Sequence, residues 1–166
     1  MLHDRYPGQI CSIARALEVV GERWTLLIVR DLLLGVRRFD DLQADLGIAR
    51  NVLTARLEKL LDEGIVERHA YSQRPVRHEY RLTDKGLDLW PTVLALLHWG
   101  DRHAAAEGGP PTVLEHRGCG GAVGPHGTCE RCGAPLERRD VIARPGPGAG
   151  PDHPLRRRGE PVAPGA

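Results

Sequence analysis

The sequence predicts a mainly α fold that carries one β-hairpin (α+β) and is followed by a small cysteine-bearing appendage. Apolar residues recur at helical spacing along residues 10–106, as is typical of packed amphipathic helices. Within that span, two short runs rich in Ile, Val and Tyr flank a polar loop and indicate a hairpin. The run Gly108-Gly109-Pro110-Pro111 then interrupts the pattern, as linkers do.

We therefore expect three segments within the 166 residues. Residues 10–106 form the helical domain, and residues 112–142 form a small segment organised by its cysteines and a histidine. Residues 143–166 alternate Pro and Gly and hold few apolar side chains. Because such a tail cannot bury enough surface to offset the entropy of ordering, we expect it to be disordered.

Four helices are expected in the first part of the domain. The first two lie on either side of Gly21, the third begins at Arg37-Arg38-Phe39 and stops at Gly47, and the fourth ends at Gly64. A glycine supplies the left-handed conformation with which many helices end. The fourth helix carries an apolar stripe that consists of Leu53, Leu57, Leu60 and Leu61 and should face the core.

A hairpin and a last helix complete the domain. The strands are expected near residues 65–71 and 79–82, with Pro75 in the loop between them. Thr83 is expected to cap the last helix. Since Pro91 lies within the helical pattern, it predicts a kink near Trp90.

This order of elements is that of a winged helix-turn-helix, whose second helix enters the major groove of DNA. A helical wheel directs Asn51, Thr54, Glu58 and Asp62 away from the core. Phosphates would repel the two carboxylates, so the start of the helix is the part that can read bases. Asn51 suits adenine, and Arg50 suits guanine or a phosphate. The alternative is a core helix with a merely solvated outer face.

The formal net charge is only +1, from 23 Lys and Arg against 22 Asp and Glu. This balance excludes a protein that coats nucleic acid through bulk positive charge. DNA affinity must then come from local groups on the third helix, the fourth helix and the hairpin. We expect the contacts to be Arg37, Arg38, Arg50, Asn51, Thr54, Lys59, Arg68, Arg74, Arg77 and His78. For the hairpin, the alternative is an ordinary solvated turn.

Several ordered blocks together resemble the HxlR-type transcriptional regulators over roughly residues 10–100. The resemblance implies a homodimeric bacterial DNA-binding protein of the MarR-like winged-helix group, usually a repressor or activator of nearby genes. It also implies a recognition helix at residues 50–59 and a wing at residues 68–81. The blocks are Cys11-Ser12-Ile13, Gly21-Glu22-Arg23-Trp24-Thr25-Leu26-Leu27-Ile28, Arg37-Arg38-Phe39-Asp40-Asp41-Leu42, Val52-Leu53-Thr54-Ala55-Arg56-Leu57, Gly64-Ile65-Val66-Glu67-Arg68 and Glu79-Tyr80-Arg81-Leu82-Thr83.

Two-fold pairing doubles the contacts on a palindromic operator, which independently favours a dimer. The stripe of Leu87, Trp90, Leu94 and Leu97 on the last helix, with help from the first helix, is the candidate interface. The alternative is that this stripe packs within one subunit.

Cys11 lies just before the first helix, where the helix dipole favours a thiolate. The resemblance implies a possible sensor, because some members of the family sense oxidants or electrophiles at the matching position. In this chain, Ser12 stands where the family usually has proline. The alternative is a packed thiol without a sensing role.

The C-terminal segment holds the pairs His116-Arg117-Gly118-Cys119-Gly120 and Cys129-Glu130-Arg131-Cys132-Gly133. Two ligands separated by two residues and followed by glycine form a metal-binding knuckle. Three thiolates and an imidazole suit structural Zn(II) in a closed, zinc-ribbon-like site. His126 is a possible substitute ligand. The alternatives are an unliganded, reduced tail and a redox pair of Cys129 and Cys132.

The longest apolar run, Trp24 to Leu34, contains Arg30 and Asp31, so we expect no membrane span. The N-terminus lacks the features of a secretory signal, which favours a cytoplasmic protein with reduced thiols. No sequence motif of an enzyme was found. The expected function is therefore transcription regulation, with an effector that is a small molecule or a redox signal. The alternative is a thiol-redox or metal-responsive protein that acts primarily through Cys11 and the C-terminal cysteines, and the C-terminal segment alone could instead recruit another protein.

Overall fold

A computed structural model describes residues 6, 8–74, 76–104 and 107–157. The described chain forms two compact units, one of residues up to 32 and 37–86, the other of residues 33–36 and 87 onward. The first compact unit ends at Gly86, so the last long helix falls in the second unit, whereas the domain boundary at residue 106 stays a prediction. Among the described residues, no helix is long and apolar enough to cross a membrane.

Four helices and a hairpin build the first unit. The helices are α1 (Ser12–Val20), α2 (Thr25–Leu33), α3 (Phe39–Leu46) and α4 (Arg50–Asp62), and the strands are β1 (Val66–Gln73) and β2 (Val76–Leu82). Leu33, the last residue of α2, already clusters with the second unit. The core of the first unit includes side chains that are almost completely buried, namely Ile28, Val29, Leu42, Leu53, Leu57 and Leu60.

Both predicted glycine stops are confirmed. Gly47 ends α3 with a φ of 62°, and Gly64 follows α4 with a φ of 64°. Both values lie in the left-handed region, which is easily reached only by glycine. The helix-turn-helix is therefore formed by α3, a short turn at residues 47–49 and α4.

The predicted hairpin is confirmed as an antiparallel pair in which Val66 lies opposite Leu82 and Gln73 opposite Val76. The register shifts between Ala70 and Ser72, so that Tyr71 is the extra residue of a β-bulge. Pro75 lies outside the described residues.

The last helix of the sequence prediction is two helices, α5 (Asp84–Leu87) and α6 (Trp90–His103). Thr83 caps the first of them, since its Oγ1 accepts from the Gly86 N–H at 3.2 Å. In place of one helix with the predicted kink near Trp90, a turn at residues 88–89 separates α5 from α6, and Pro91 lies in the first turn of α6. Proline is tolerated there, since the first N–H groups of a helix have no intrahelical partner.

The second unit also holds a small antiparallel sheet of β3 (Thr112–His116) and β4 (Val141–Pro145). A 3₁₀ turn (Arg138–Asp140) precedes β4, and a short helix α7 (Pro154–Arg157) follows it.

Our expectation of disorder from residue 143 onward was wrong for residues 143–157. Ala143 and Leu155 are buried, and residues 143–145 pair with β3, so the backbone gains partners that the composition did not suggest. Residues 158–166 of the predicted disordered tail lie outside the described residues.

Candidate DNA interface and metal centre

The start of α4 presents polar side chains and free backbone donors to solvent. Its N-cap, Ala49, gives no side-chain hydrogen bond, and the first turn holds no acidic residue. The first N–H groups of the helix therefore remain available to an anion. Arg50 and Asn51 are exposed at this end, where Thr54 donates its hydroxyl to the Arg50 carbonyl at 2.9 Å.

The side chain of Arg50, the first residue of α4, contacts α3. Its guanidinium carbon is 4.5 Å from the centre of the Phe39 ring, and its Nη1 is 3.5 Å from Oδ1 of Asp40. The side chain of Arg50 is 71% exposed and that of Asp40 is 87% exposed. An ion pair this open contributes little free energy, so Arg50 can exchange Asp40 for a base or a phosphate.

The rear of α4 is tied to the turn that follows α1. Glu22 forms ion pairs with both Arg56 and Lys59, and Lys59 donates to the Glu18 carbonyl at 2.9 Å. Lys59 is therefore engaged within the first unit, and we leave it out of the proposed DNA contacts. The sequence prediction missed these partners because they lie about 40 residues upstream.

The wing carries exposed arginines on both strands and at the turn. Arg68, Arg74 and Arg77 are exposed, whereas His78 is half-buried. Burial raises the pKa of Tyr80, against the opposing effect of the nearby Arg68. Because Arg74 and Arg77 are exposed, the tip of the wing presents cationic side chains to solvent.

Two contacts join the start of α3 to the wing. The Tyr80 N–H donates to the Arg37 carbonyl at 2.8 Å, and the Arg38 guanidinium lies 4.7 Å from the centre of the Tyr71 ring. A cation–π pair of this kind contributes about 0.5–1 kcal/mol at an exposed site. Arg37 and Arg38 are thereby held beside the wing.

The four predicted metal ligands come together in the second unit. His116, Cys119, Cys129 and Cys132 offer ligand atoms that all lie within 4.8 Å of one another. Nδ1 of His116 is 3.3 Å from Sγ of Cys119 and 3.4 Å from Sγ of Cys132. The Sγ atoms of Cys119 and Cys129 are 3.4 Å apart. Such spacings fit a tetrahedral ion with ligands at about 2.0–2.3 Å. His126 is not part of this group.

The backbone of the second knuckle stabilises negative charge on sulfur. N–H groups of Cys132 and, to a smaller extent, Arg131 lower the pKa of Cys129 to about 6, against the effect of burial. For Cys119, the Gly121 N–H lowers the pKa, but the hydrogen bond with Cys129 and burial raise it overall. Gly121 is required by space, since a Cβ there would lie 2.6 Å from Sγ of Cys129.

Comparison with known proteins agrees with the helix-turn-helix described above. The family model described as HxlR-like helix-turn-helix matches residues 19–107. The chain belongs to the HxlR-like helix-turn-helix family. An uncharacterized HTH-type transcriptional regulator of Mycobacterium tuberculosis is 46% identical to this HxlR-like chain over 147 residues, which span 89% of the chain and 92% of the relative.

Two solved structures extend the comparison. The crystal structure of PA1607, a candidate transcription factor, is 36% identical with a TM-score of 0.65, and the match covers 80% of this HxlR-like chain and 93% of PA1607. The redox regulator HypR in its oxidized form is 32% identical with a TM-score of 0.54, and that match covers 58% of this chain and 100% of HypR. The winged helix-turn-helix fold and the class of transcriptional regulator are thereby established for the chain.

Cys11 is the N-cap of α1 in this HxlR-like chain. It is exposed, and its Sγ accepts a hydrogen bond from the Ala14 N–H at 3.3 Å. The thiol is therefore open to reagents and is not packed in a core.

The four residues of the candidate dimer stripe differ in exposure, and Leu87 lies on α5 whereas the other three lie on α6. Trp90 and Leu94 are buried within the chain, Leu97 is half-buried and Leu87 is 41% exposed. Trp90 and Leu94 thus follow the alternative of packing within one subunit. Two large apolar residues of α6, Leu96 and Trp99, are instead 50% and 61% exposed.

Sequence reasoning missed Leu96 and Trp99 because it followed the strongest periodic stripe of α6. The spacing of three residues between them was the available signal. On α1, Ile13 and Leu17 are likewise exposed, at 72% and 42%.

Proposed function

We propose that the chain is a site-selective DNA-binding regulator that acts as a homodimer on a palindromic operator and represses the genes beside it. The observation that carries this proposal is the uncapped start of α4, where Arg50 and Asn51 stand exposed beside free backbone donors. Repression follows from occupancy, since a dimer bound over a promoter excludes the polymerase. The regulator acts by binding and carries out no catalysis.

Different residues supply specificity and affinity in this proposal. Arg50 and Asn51 read bases in the major groove, Arg50 through guanine and Asn51 through adenine. Thr54 contacts a phosphate or a thymine methyl group. Arg74 and Arg77 bind the minor groove or its phosphates, which give affinity without sequence information. The remaining proposed backbone contacts are Arg37, Arg38, Arg68 and His78.

Pairing of two chains accounts for the exposed apolar residues. Leu96 and Trp99 on α6, and Ile13 and Leu17 on α1, expose large apolar side chains that a second copy would cover. Burying a side chain of this size contributes about 1.5–3 kcal/mol. A Trp99→Glu variant should sediment as a monomer at micromolar concentration, whereas Gln73→Glu, which adds the same charge at an exposed polar position of the wing, should remain dimeric. A Trp99→Glu variant that stays dimeric would exclude α6 from the interface.

We further propose that His116, Cys119, Cys129 and Cys132 hold a structural Zn(II) ion. Four protein ligands close the site, so the ion would organise the backbone and would not activate water. The small core of this segment supports the proposal, because such segments seldom fold without a metal or a disulfide. Protein purified without added metal should carry one zinc per chain. The Cys129→Ser, Cys132→Ser double variant should lose it, and full retention of zinc would refute the assignment.

The DNA-binding proposal is tested by selecting bound sequences from random duplexes and then measuring variants on the selected DNA. Arg50→Ala should weaken the free energy of operator binding by about 1–3 kcal/mol and relax the base preference at one position in each half-site. Arg77→Ala should weaken binding to all sequences alike and reduce the slope of log K against log salt by about one. If Arg50→Ala leaves the base preference unchanged, α4 does not read the DNA in the proposed way.

A second candidate function, thiol sensing by Cys11, is favoured by the exposure of its Sγ and by the N–H donor of Ala14. The similarity to the redox regulator HypR supports this candidate. A thiol-reactive electrophile should lower operator affinity of the wild-type chain but not of Cys11→Ser. Mass spectrometry must show that Cys11 has reacted, and unchanged affinity of fully modified wild-type protein would discard the sensor.

A further inference from the structure

Arg138 is a buried cation without a carboxylate partner among the described residues. It is 9% exposed, and burial lowers its pKa to about 10, aided by the nearby Arg117. Burying a charged group is costly unless its donors are satisfied. Three of its nitrogens meet backbone carbonyls: Nε donates to Leu33 at 2.9 Å, Nη2 donates to the same oxygen, and Nη1 donates to Val141 at 2.8 Å. Its guanidinium carbon also lies 5.8 Å from the centre of the Trp90 ring.

The carbonyl that accepts from Arg138 lies at the C-terminal end of α2. Leu33 is the last residue of α2, and the final carbonyls of a helix lack intrahelical donors. A cation there also complements the helix dipole. Residues 33–36 cluster with the second unit, although residues of the first unit precede and follow them directly in the chain. The conformation of residues 33–36 therefore affects the backbone that connects the end of α2 to Arg37 and to the start of α3.

The backbone around Arg138 is joined to the metal ligands by short connections. His116 lies opposite Val141 in the register of β3 and β4, and the carbonyl of Val141 accepts from Arg138. The Arg117 N–H, next to the ligand His116, donates to the Asp140 carbonyl at 2.7 Å. An ion that fixes His116 therefore also fixes the strand pair and the turn from which Arg138 projects.

We propose that Arg138 makes operator binding depend on the metal: occupancy of the four-ligand site holds the Arg138 guanidinium on the Leu33 carbonyl, and this favours the DNA-competent conformation. The proposal rests on the proposed function, and it adds a thiophilic divalent cation as a regulator of that function. Arg138 is a positioning residue and touches neither DNA nor metal. Because coupling between two binding sites is reciprocal, operator DNA must raise the affinity for the metal by the factor by which the metal raises the affinity for DNA.

The test measures operator affinity of the full chain with zinc bound and after chelation. Wild-type protein should bind selected operator DNA about 10-fold more weakly without zinc, within the usual range of coupling factors. Arg138→Met should retain one zinc per chain, but its ratio of the two affinities should fall to near one. The matched control is Arg139→Met, because the side chain of Arg139 is 74% exposed and pairs with Glu137 at 2.9 Å on the surface. This variant should keep the wild-type ratio.

Each contrary outcome has a distinct meaning. Two results would overturn the coupling and leave the proposed function intact. One is equal operator affinity of zinc-loaded and chelated wild-type protein. The other is an Arg138→Met variant that binds zinc and still shows the wild-type ratio of the two affinities. A failure to select any DNA sequence would instead refute the DNA-binding proposal itself. A lack of bound zinc would refute the metal site.

Hydrogen exchange of the wild-type protein covers the case in which Arg138→Met does not fold. The amides of residues 33–37 should exchange faster in the chelated protein than in the zinc-loaded protein. Identical exchange in that segment would overturn the proposal.

Discussion

Asp31 provides a stability test that depends on pH. Its side chain is completely buried, while Nη2 of Arg30 lies 2.7 Å from its Oδ1. Burial raises its pKa to about 7, Arg30 opposes this shift, and the negative charge of Asp45 adds to it. Since the pKa of the folded state lies above the ordinary value of 3.8, the protonated form stabilises the fold. This stabilisation is fully present below about pH 4 and is lost as the pH rises through 7.

The size of the effect follows from the two pKa values. One pKa unit corresponds to about 1.4 kcal/mol, so a carboxyl with a folded pKa of about 7 loses roughly 2–3 kcal/mol between pH 5 and pH 8. Asp31→Asn removes this titration and keeps the shape of the side chain. Relative to the wild type, its free energy of unfolding should therefore rise by about that amount over the same interval.

The difference in the free energy of unfolding between Asp31→Asn and the wild type is measured by urea denaturation at pH 5 and pH 8. Circular dichroism monitors the unfolding, and zinc is present throughout. Asp88→Asn is the matched control, because Asp88 is exposed in the turn between α5 and α6, and its difference from the wild type should be the same at both pH values. If the Asp31→Asn difference is also the same at both, burial does not hold a proton on Asp31 and the reasoning is refuted.

Three further predictions concern the supports of the two sites. Glu22→Gln should lower the free energy of unfolding by about 1 kcal/mol in denaturation measurements, since it weakens two half-buried ion pairs behind α4; no loss would show that these pairs do not hold the helix. Gly121→Ala should weaken zinc binding at least about 10-fold in a competition titration with a chelator, because its Cβ would lie 2.6 Å from Sγ of Cys129. Gly124→Ala, whose Cβ would meet nothing closer than 3.4 Å, should bind zinc normally, and equal affinities of the two variants would contradict the close packing at Gly121. Leu96→Lys should raise the dimer dissociation constant at least about 10-fold in analytical ultracentrifugation, since it places a charge on the proposed pairing face; an unchanged constant would remove Leu96 from that face.

Local signals in the sequence were sufficient for the helix-turn-helix and for the cluster of one histidine and three cysteines. Gly47 ends α3, and Gly64 follows the leucine stripe of α4. The helical spacing of the apolar residues and the positions of these two glycines were therefore enough to predict both helices. The ligand pairs lie within short knuckles, whose spacing already brings the two members of each pair together. The two pairs are separated by residues 120–128 alone, and a compact turn in this short connection brings the pairs together.

Features that depend on distant partners could not be predicted. Lys59 was expected to contact DNA because it is cationic and lies on α4, yet its partner Glu18 is 41 residues away. The clamp of Arg138 on Leu33 joins residues 105 positions apart. On α6, periodicity identified an apolar stripe but could not tell a face covered by the same chain from a face open to a second copy.

The mass of the complex between the full chain and its selected operator, measured by native mass spectrometry, tests the central claim most directly. The account predicts two chains, two zinc ions and one duplex. A complex of one chain per duplex, or an equally stable complex with a duplex of random sequence, would contradict it.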